Sequence, residues 1–149
     1  MGVQYPFVHH VGIVMPRERV ALSLIELLGY QEKYRGYVEC WSALCIFTES
    51  HGSVPMEFVI ADSGPLKEWN RGAGGTHHVA LAVEDLADRM RQLAERGIRM
   101  LEPEPVKGAG PFLCNFIDPA STRGVVIELV QVLPEPEPAV SRQAAKTRD

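Results

Sequence analysis

Four side chains of this chain stand out by their type and spacing: His10, Glu57, His78 and Glu128. His10 lies in His9-His10-Val11-Gly12-Ile13-Val14, and His78 lies in the matching run His77-His78-Val79-Ala80-Leu81-Ala82-Val83. Each glutamate interrupts an apolar run, Met56-Glu57-Phe58-Val59-Ile60 and Val126-Ile127-Glu128-Leu129-Val130, 47 and 50 residues after its histidine. A lone strand histidine is ordinarily a core residue with a satisfied ring. Two glutamates inside apolar strands are harder to place, because an isolated buried carboxylate costs more than a fold tolerates. Neither strand offers Lys or Arg at alternating positions on the same face. A divalent cation held by two imidazoles and two carboxylates would neutralise both charges, so the quartet reads as one metal site. A metal that prefers six ligands would keep two positions open for substrate oxygens.

The elements that must position the quartet follow from the repeat. Gly29 and Gly97 each lie 19 residues after His10 and His78, so histidine, glycine and glutamate landmarks agree across two halves. We read a duplicated module of about 55 to 60 residues. In each, a strand is followed by a helix with its apolar stripe, Val20, Leu24, Leu27 and Leu28 in the first half and Leu86, Met90, Leu93 and Ala94 in the second. Glycine then suits a left-handed cap. Strands are predicted at Val38 to Thr48, Met56 to Ile60, Leu113 to Ile117 and Gly124 to Val132. Each half thus reads as strand, helix, then two or three strands, and an α+β fold of two mixed four-stranded sheets that face each other is expected. Strand parity turns His10 away from the helix-packed face with Gly12 and Val14, and His78 with Ala80 and Ala82. The same parity sends His9 and His77 to the helix-packed face as structural residues.

The domain is expected to span 1–132, with module one at about 7–61, module two at about 75–132 and a flexible tail at 133–149, LPEPEPAVSRQAAKTRD. A Gly- and Pro-containing linker, Ala61 to Thr76, joins the modules, with one helical turn near Leu66 to Asn70. The 149 residues, 46% apolar and 23% charged, suit one globular domain with a real core. A net charge of -4 provides no cationic excess for a phosphate backbone, which argues against nucleic acid. No run is long and apolar enough for a membrane span, and the Met1 to Val11 segment lacks a signal-peptide pattern, so a cytoplasmic protein is expected. Cys40, Cys45 and Cys114 lack metal-type spacing and read as reduced packing residues.

The sequence resembles the vicinal oxygen chelate (glyoxalase/bleomycin-resistance-like) superfamily and, within it, the methylmalonyl-CoA epimerases, from about Val8 to Val132. The carrying stretches are His10 in HHVGIV, Gly74 to Leu81 followed by Val83-Glu84-Asp85-Leu86, and Asn115-Phe116-Ile117-Asp118-Pro119 leading to Gly124-Val125-Val126-Ile127-Glu128-Leu129. The resemblance implies a cup of two βαβββ modules around one divalent ion of Co, Mn, Ni, Zn or Fe, with His10, His78 and Glu128 at ligand positions. The position matching Glu57 is commonly Gln in epimerases and Glu in bacterial glyoxalase I. The resemblance also implies a proton-transferring glutamate on the early strand. Glu39 fits it if register is set by Gly36, and Ser42 falls there if register is set by Ala43-Leu44.

The implied activity is epimerisation or isomerisation of an acyl-CoA thioester through alpha-proton abstraction and a metal-stabilised enolate, with Glu39 and Glu128 as the candidate catalytic carboxylates. Two alternatives accompany it: a glyoxalase I-type lyase acting on a thiol hemiacetal, and a non-catalytic small-molecule-binding or resistance protein of the same fold. The expected partners are a small-molecule substrate, a thioester, and a second copy in a homodimer. Lys67, Arg71 and Lys107 sit in loops where they could meet a CoA phosphate, while Trp41 and Trp69 read as packing.

Overall fold

A computed structural model describes residues 2–135; the expected tail lies outside the described residues from position 136 onward. The first half comprises β1 (Phe7–Val14), α1 (Glu18–Leu27), β2 (Glu32–Val38), β3 (Ala43–Thr48) and β4 (Met56–Ala61). A short α2 (Gly64–Lys67) and a 3-10 turn (Trp69–Gly72) fill the linker. The second half repeats the order as β5 (Gly75–Ala82), α3 (Leu86–Glu95), β6 (Val106–Lys107), β7 (Phe112–Phe116) and β8 (Ile127–Val132).

The eight strands form a single sheet in the order β2-β3-β4-β1-β5-β8-β7-β6. Each half therefore places its first strand parallel to its last, and the two first strands, β1 and β5, pair antiparallel at the centre. The expectation of two separate sheets is corrected here. The edge that each module would leave open on its first strand is closed by the equivalent edge of the other, which removes a row of unpaired backbone groups.

One apolar cluster fills the concave side, with Phe47, Val59, Ala80, Phe112 and Val130 at its centre. Two others lie beneath the helices, Ala21 and Ile25 against Ile46 and Phe58, and Leu86 against Ile117 and Leu129. The α3 stripe lies as read at Leu86, Met90 and Leu93, while Ala94 is exposed, and Asp85 caps the helix by accepting from the Asp88 N–H. The α1 stripe holds only at Leu24. Ala21 and Ile25 join it against the sheet, whereas Val20 is exposed, Leu27 is 81% exposed and Leu28 54%. Gly29 and Gly97 take φ of +76° and +77°, the left-handed cap expected at both helix ends.

Val38 to Thr48 is not one strand. A 3-10 turn at Glu39–Trp41 and a left-handed Ser42 (φ 48°, ψ 46°) fold it into a hairpin, with Val38 opposite Ala43. The missed strand β2 alternates Lys33, Arg35 and Tyr37 outward with Tyr34, Gly36 and Val38 inward, a period-two signal that its charges obscured. Cys45 and Cys114 are buried and Cys40 is exposed, all three as free thiols. Among the described residues no helix is long and apolar enough to cross a membrane.

Candidate metal centre

Register across the four central strands assembles the quartet in two rows. In one, Gly12 on β1 lies between Glu57 on β4 and His78 on β5. In the other, Ala80 on β5 lies between His10 on β1 and Glu128 on β8. Each row thus carries two long polar side chains across one very small residue, which leaves room for all four to lean toward one point. Phe47 flanks Glu57 and Phe116 flanks Glu128 as the outer neighbours of the same rows. The rings of Phe47 and His10 meet edge to face at 5.0 Å, and those of Phe116 and His78 at 5.1 Å.

The four side chains are all buried, His10 and Glu128 at 0% and 2% exposure. The Nε2 of His10 lies 2.9 Å from Glu57 Oε2 and 3.0 Å from Glu128 Oε2. The Nε2 of His78 lies 3.1 Å and 3.0 Å from the same two oxygens. The two Nε2 atoms are 3.2 Å apart. Each ring nitrogen carries at most one hydrogen, so hydrogen bonding alone cannot serve five such approaches. Glu128 Oε2 is in fact buried without an aligned hydrogen-bond donor. Atoms bound at right angles around one ion at about 2.1 Å would lie about 3.0 Å apart, close to the spacings seen. Two imidazole nitrogens and two carboxylate oxygens are also donors that suit a borderline divalent ion. The cluster therefore has the atoms and spacing to hold a metal.

The four side chains also set one another's protonation. Burial pulls the His10 pKa down, but the two carboxylates at contact distance more than reverse it, raising it to about 10. The same competition raises His78 to about 9. Burial pushes the Glu57 and Glu128 carboxyls up, and the facing imidazoles outweigh it, holding both below the ordinary carboxylate range. Without an ion, the quartet shares protons to balance its charges.

His9 and His77 depart from their expected places. Pairing of β1 with β5 shifts register between Val8 and His10, and again between Gly12 and Ile13, so His9 on β1 and His77 on β5 are each an extra, unpaired residue. A bulge turns two successive side chains toward one face. The Nδ1 of His9 accordingly lies 2.8 Å from Nδ1 of His10, and the Nδ1 of His77 lies 2.8 Å from Nδ1 of His78. Burial, followed by the neighbouring ring, lowers the pKa of His9 and of His77 to about 4. The sequence signal for both was the doublet itself, repeated at the same place in each module.

Two cavities flank the quartet. One of about 630 Å³ is lined by His9, Lys33, Tyr34, Arg35, Phe47 and Phe112, among others. The other, of about 430 Å³, is walled by Trp41, Ser42, Leu66, Trp69, His77 and Phe116. Glu39 stands exposed on the 3-10 turn and lines neither cavity, so the structure does not bring it to the quartet, while Ser42 reaches the second cavity wall. Lys67 and Arg71 are exposed on the linker, and the Lys107 ammonium donates to the Gly108 and Gly110 carbonyls.

Comparison with known proteins points the same way. Over 82% of its length the chain is 28% identical to the uncharacterized protein YqjC of Bacillus subtilis, covering 89% of that protein. A 70-residue stretch is 31% identical to the mitochondrial methylmalonyl-CoA epimerase of Dictyostelium discoideum, 46% of this chain and 42% of that one. The crystal structure of methylmalonyl-CoA epimerase from Mycobacterium tuberculosis superposes with a TM-score of 0.79 at 25% identity, over 89% of this chain and 94% of the other. The family model of the Glyoxalase/Bleomycin resistance protein/Dioxygenase superfamily matches residues 9–116, a stretch that takes in nearly all of the first module, the second as far as β7, their central β1–β5 seam and three of the four clustered side chains. With that match extending over most of the sheet, the chain belongs to the glyoxalase/bleomycin resistance protein/dioxygenase superfamily.

Proposed function

We propose that the chain is a metal-dependent epimerase or isomerase of an acyl-CoA thioester, of the methylmalonyl-CoA epimerase kind. The observation that carries this reading is the convergence of His10, Glu57, His78 and Glu128 in a buried cup with a cavity on either side. These four residues would hold one divalent ion. When bound, the ion would supply Lewis-acid stabilisation of negative charge developing on a substrate carbonyl oxygen.

The chain's own residues do the remainder. Phe47, Phe112 and Phe116 keep water from the cup floor, and the small Gly12 and Ala80 let the four donor side chains converge above them. Proton transfer at the reacting carbon needs a carboxylate within reach, and Glu128 is the candidate inside the cup, where its carboxylate would have to leave the ion to accept the proton. Glu39 remains the rival assignment from the exposed turn. Lys33, exposed at the edge of the larger cavity, offers positive charge to an anionic carrier group. A homodimer forms part of the proposal, supported by the apolar Leu27 and Leu28 exposed at the end of α1.

Glu57 favours a second reading. Two carboxylates rather than one in the quartet match the ligand set of a glyoxalase I-type lyase, and a binding protein of the same fold is the non-catalytic alternative. Deuterium wash-in from heavy water into methylmalonyl-CoA, run beside an assay with methylglyoxal and glutathione, separates the three. Exchange in the first assay supports the epimerase. Turnover only in the second establishes the lyase, and silence of the ion-loaded protein in both leaves the binding protein.

A further inference from the structure

We propose that His9 and His77 are positioning residues of the metal centre, each fixing one ligand histidine through its Nδ1 and presenting its own Nε2–H to a cavity. The inference rests on the reading of the quartet as an ion site.

Four imidazole rings have one hydrogen each to place when neutral. Both ligand rings turn Nε2 into the cluster, where His10 and His78 approach the same two carboxylate oxygens at 2.9–3.1 Å. A nitrogen that binds an ion has no hydrogen, so the single hydrogen of each neutral ligand ring must sit on Nδ1. Each Nδ1 has one neighbour at hydrogen-bond distance, His9 Nδ1 or His77 Nδ1 at 2.8 Å. Those nitrogens must therefore accept, which leaves the hydrogen of His9 and of His77 on Nε2. A partner that accepts from the far side of a ligand imidazole holds its orientation and raises its basicity.

The arrangement occurs twice in unrelated side-chain surroundings. His9 packs edge to face on Phe112 at 5.3 Å, and His77 on Trp69 at 4.6 Å. Each doublet is produced by its own bulge, one on β1 and one on β5. Neither His9 nor His77 has a hydrogen-bond partner for Nε2 among the described residues, and each lines a different cavity. Both cavities thus offer a neutral N–H donor next to the quartet, suited to an oxygen acceptor such as a carbonyl or carboxylate of the bound molecule.

The test uses the whole chain, Co²⁺ as the probe, and three substitutions of His77. Phe keeps a flat ring and removes both nitrogens. Asn places an amide oxygen near the Nδ1 position and restores the acceptor, whereas Gln places its amide nitrogen near Nε2 and does not. Chelator competition should show His77→Phe and His77→Gln weakening Co²⁺ binding by about 10- to 100-fold, with a changed cobalt absorption band, and His77→Asn within about 3-fold of wild type. The same order is expected at His9. Wild-type affinity and spectrum in a folded His77→Phe protein would overturn the proposal, as would an Asn variant no better than Phe. Should the Phe variant fail to fold, the Gln variant decides on the same criterion. A wild-type chain that takes up no Co²⁺ would sink the ion-site reading and this inference together, whereas tight wild-type binding beside an unaffected Gln variant would sink the inference alone.

Discussion

The backbone of Gly12 lies directly beneath the imidazole of His78, so close that a Cβ on residue 12 would overlap the ring. Gly12 is also the middle residue of the row that carries Glu57 and His78. Its lack of a side chain is therefore a condition for the quartet to converge.

Gly12→Ala should push the His78 ring out of the cup. We expect a stability loss of about 1–3 kcal/mol from overpacking and a fall in metal affinity of at least about tenfold. Thermal unfolding and a chelator titration on the same preparation measure both. An unchanged affinity would mean that His78 does not need its observed position to bind.

Metal stoichiometry should be about one divalent ion per chain, because the duplicated modules bring their four donors to one point rather than two. His78→Ala should abolish binding in elemental analysis. Retention of the ion in that variant would refute the ligand assignment.

The metal-free protein should be most stable at intermediate pH. In the folded state His10 and His78 are raised to about 10 and about 9, above the ordinary 6.5, so their contribution is fully present below pH 6.5 and is lost as pH rises through 9 to 10. The carboxyls of Glu57 and Glu128 are held low, so their contribution is present above pH 4.5 and is lost as the solution is acidified below it. Melting temperature should thus fall on both sides. An ion must displace the imidazole protons, so its binding should release protons and strengthen steadily from pH 6 toward 9. Calorimetry in buffers of different ionisation enthalpy counts the protons, and a count of zero would contradict the shared-proton description.

Glu39→Gln should retain deuterium exchange within about 3-fold, because Glu39 is exposed and lines neither cavity. Glu128→Gln should lower exchange by about 100-fold or more. If Glu39→Gln loses that much while keeping its ion, proton transfer belongs to Glu39 and the turn at 39–42 must close over the substrate.

Light scattering at micromolar concentration should return twice the 16.5 kDa chain mass for the proposed homodimer. Replacing Leu27 and Leu28 by Lys should shift the mass toward one chain. A single-chain mass for the wild type would overturn this part of the proposal.

The sequence by itself determined the module repeat, the strand and helix of each half, and the identity of the quartet. Those depend on local rules: period two along a strand sent His10, Glu57, His78 and Glu128 to one face, and glycine ended both helices. The convergence of the four required register between strands far apart in the chain, which no single segment encodes. The same applies to the single sheet, since nothing within β1 or β5 states that each will close the other's edge. Parity failed where pairing overrode it. An extra residue accommodated at His9 and at His77 turns each toward its neighbour, and a bulge is a property of two paired strands rather than of one. Glu39 left the strand for a similar reason: the left-handed Ser42 closes a hairpin whose other arm, β2, pairs Val38 with Ala43, which leaves Glu39 and Cys40 exposed at the turn while Trp41 and Ser42 stay half-buried.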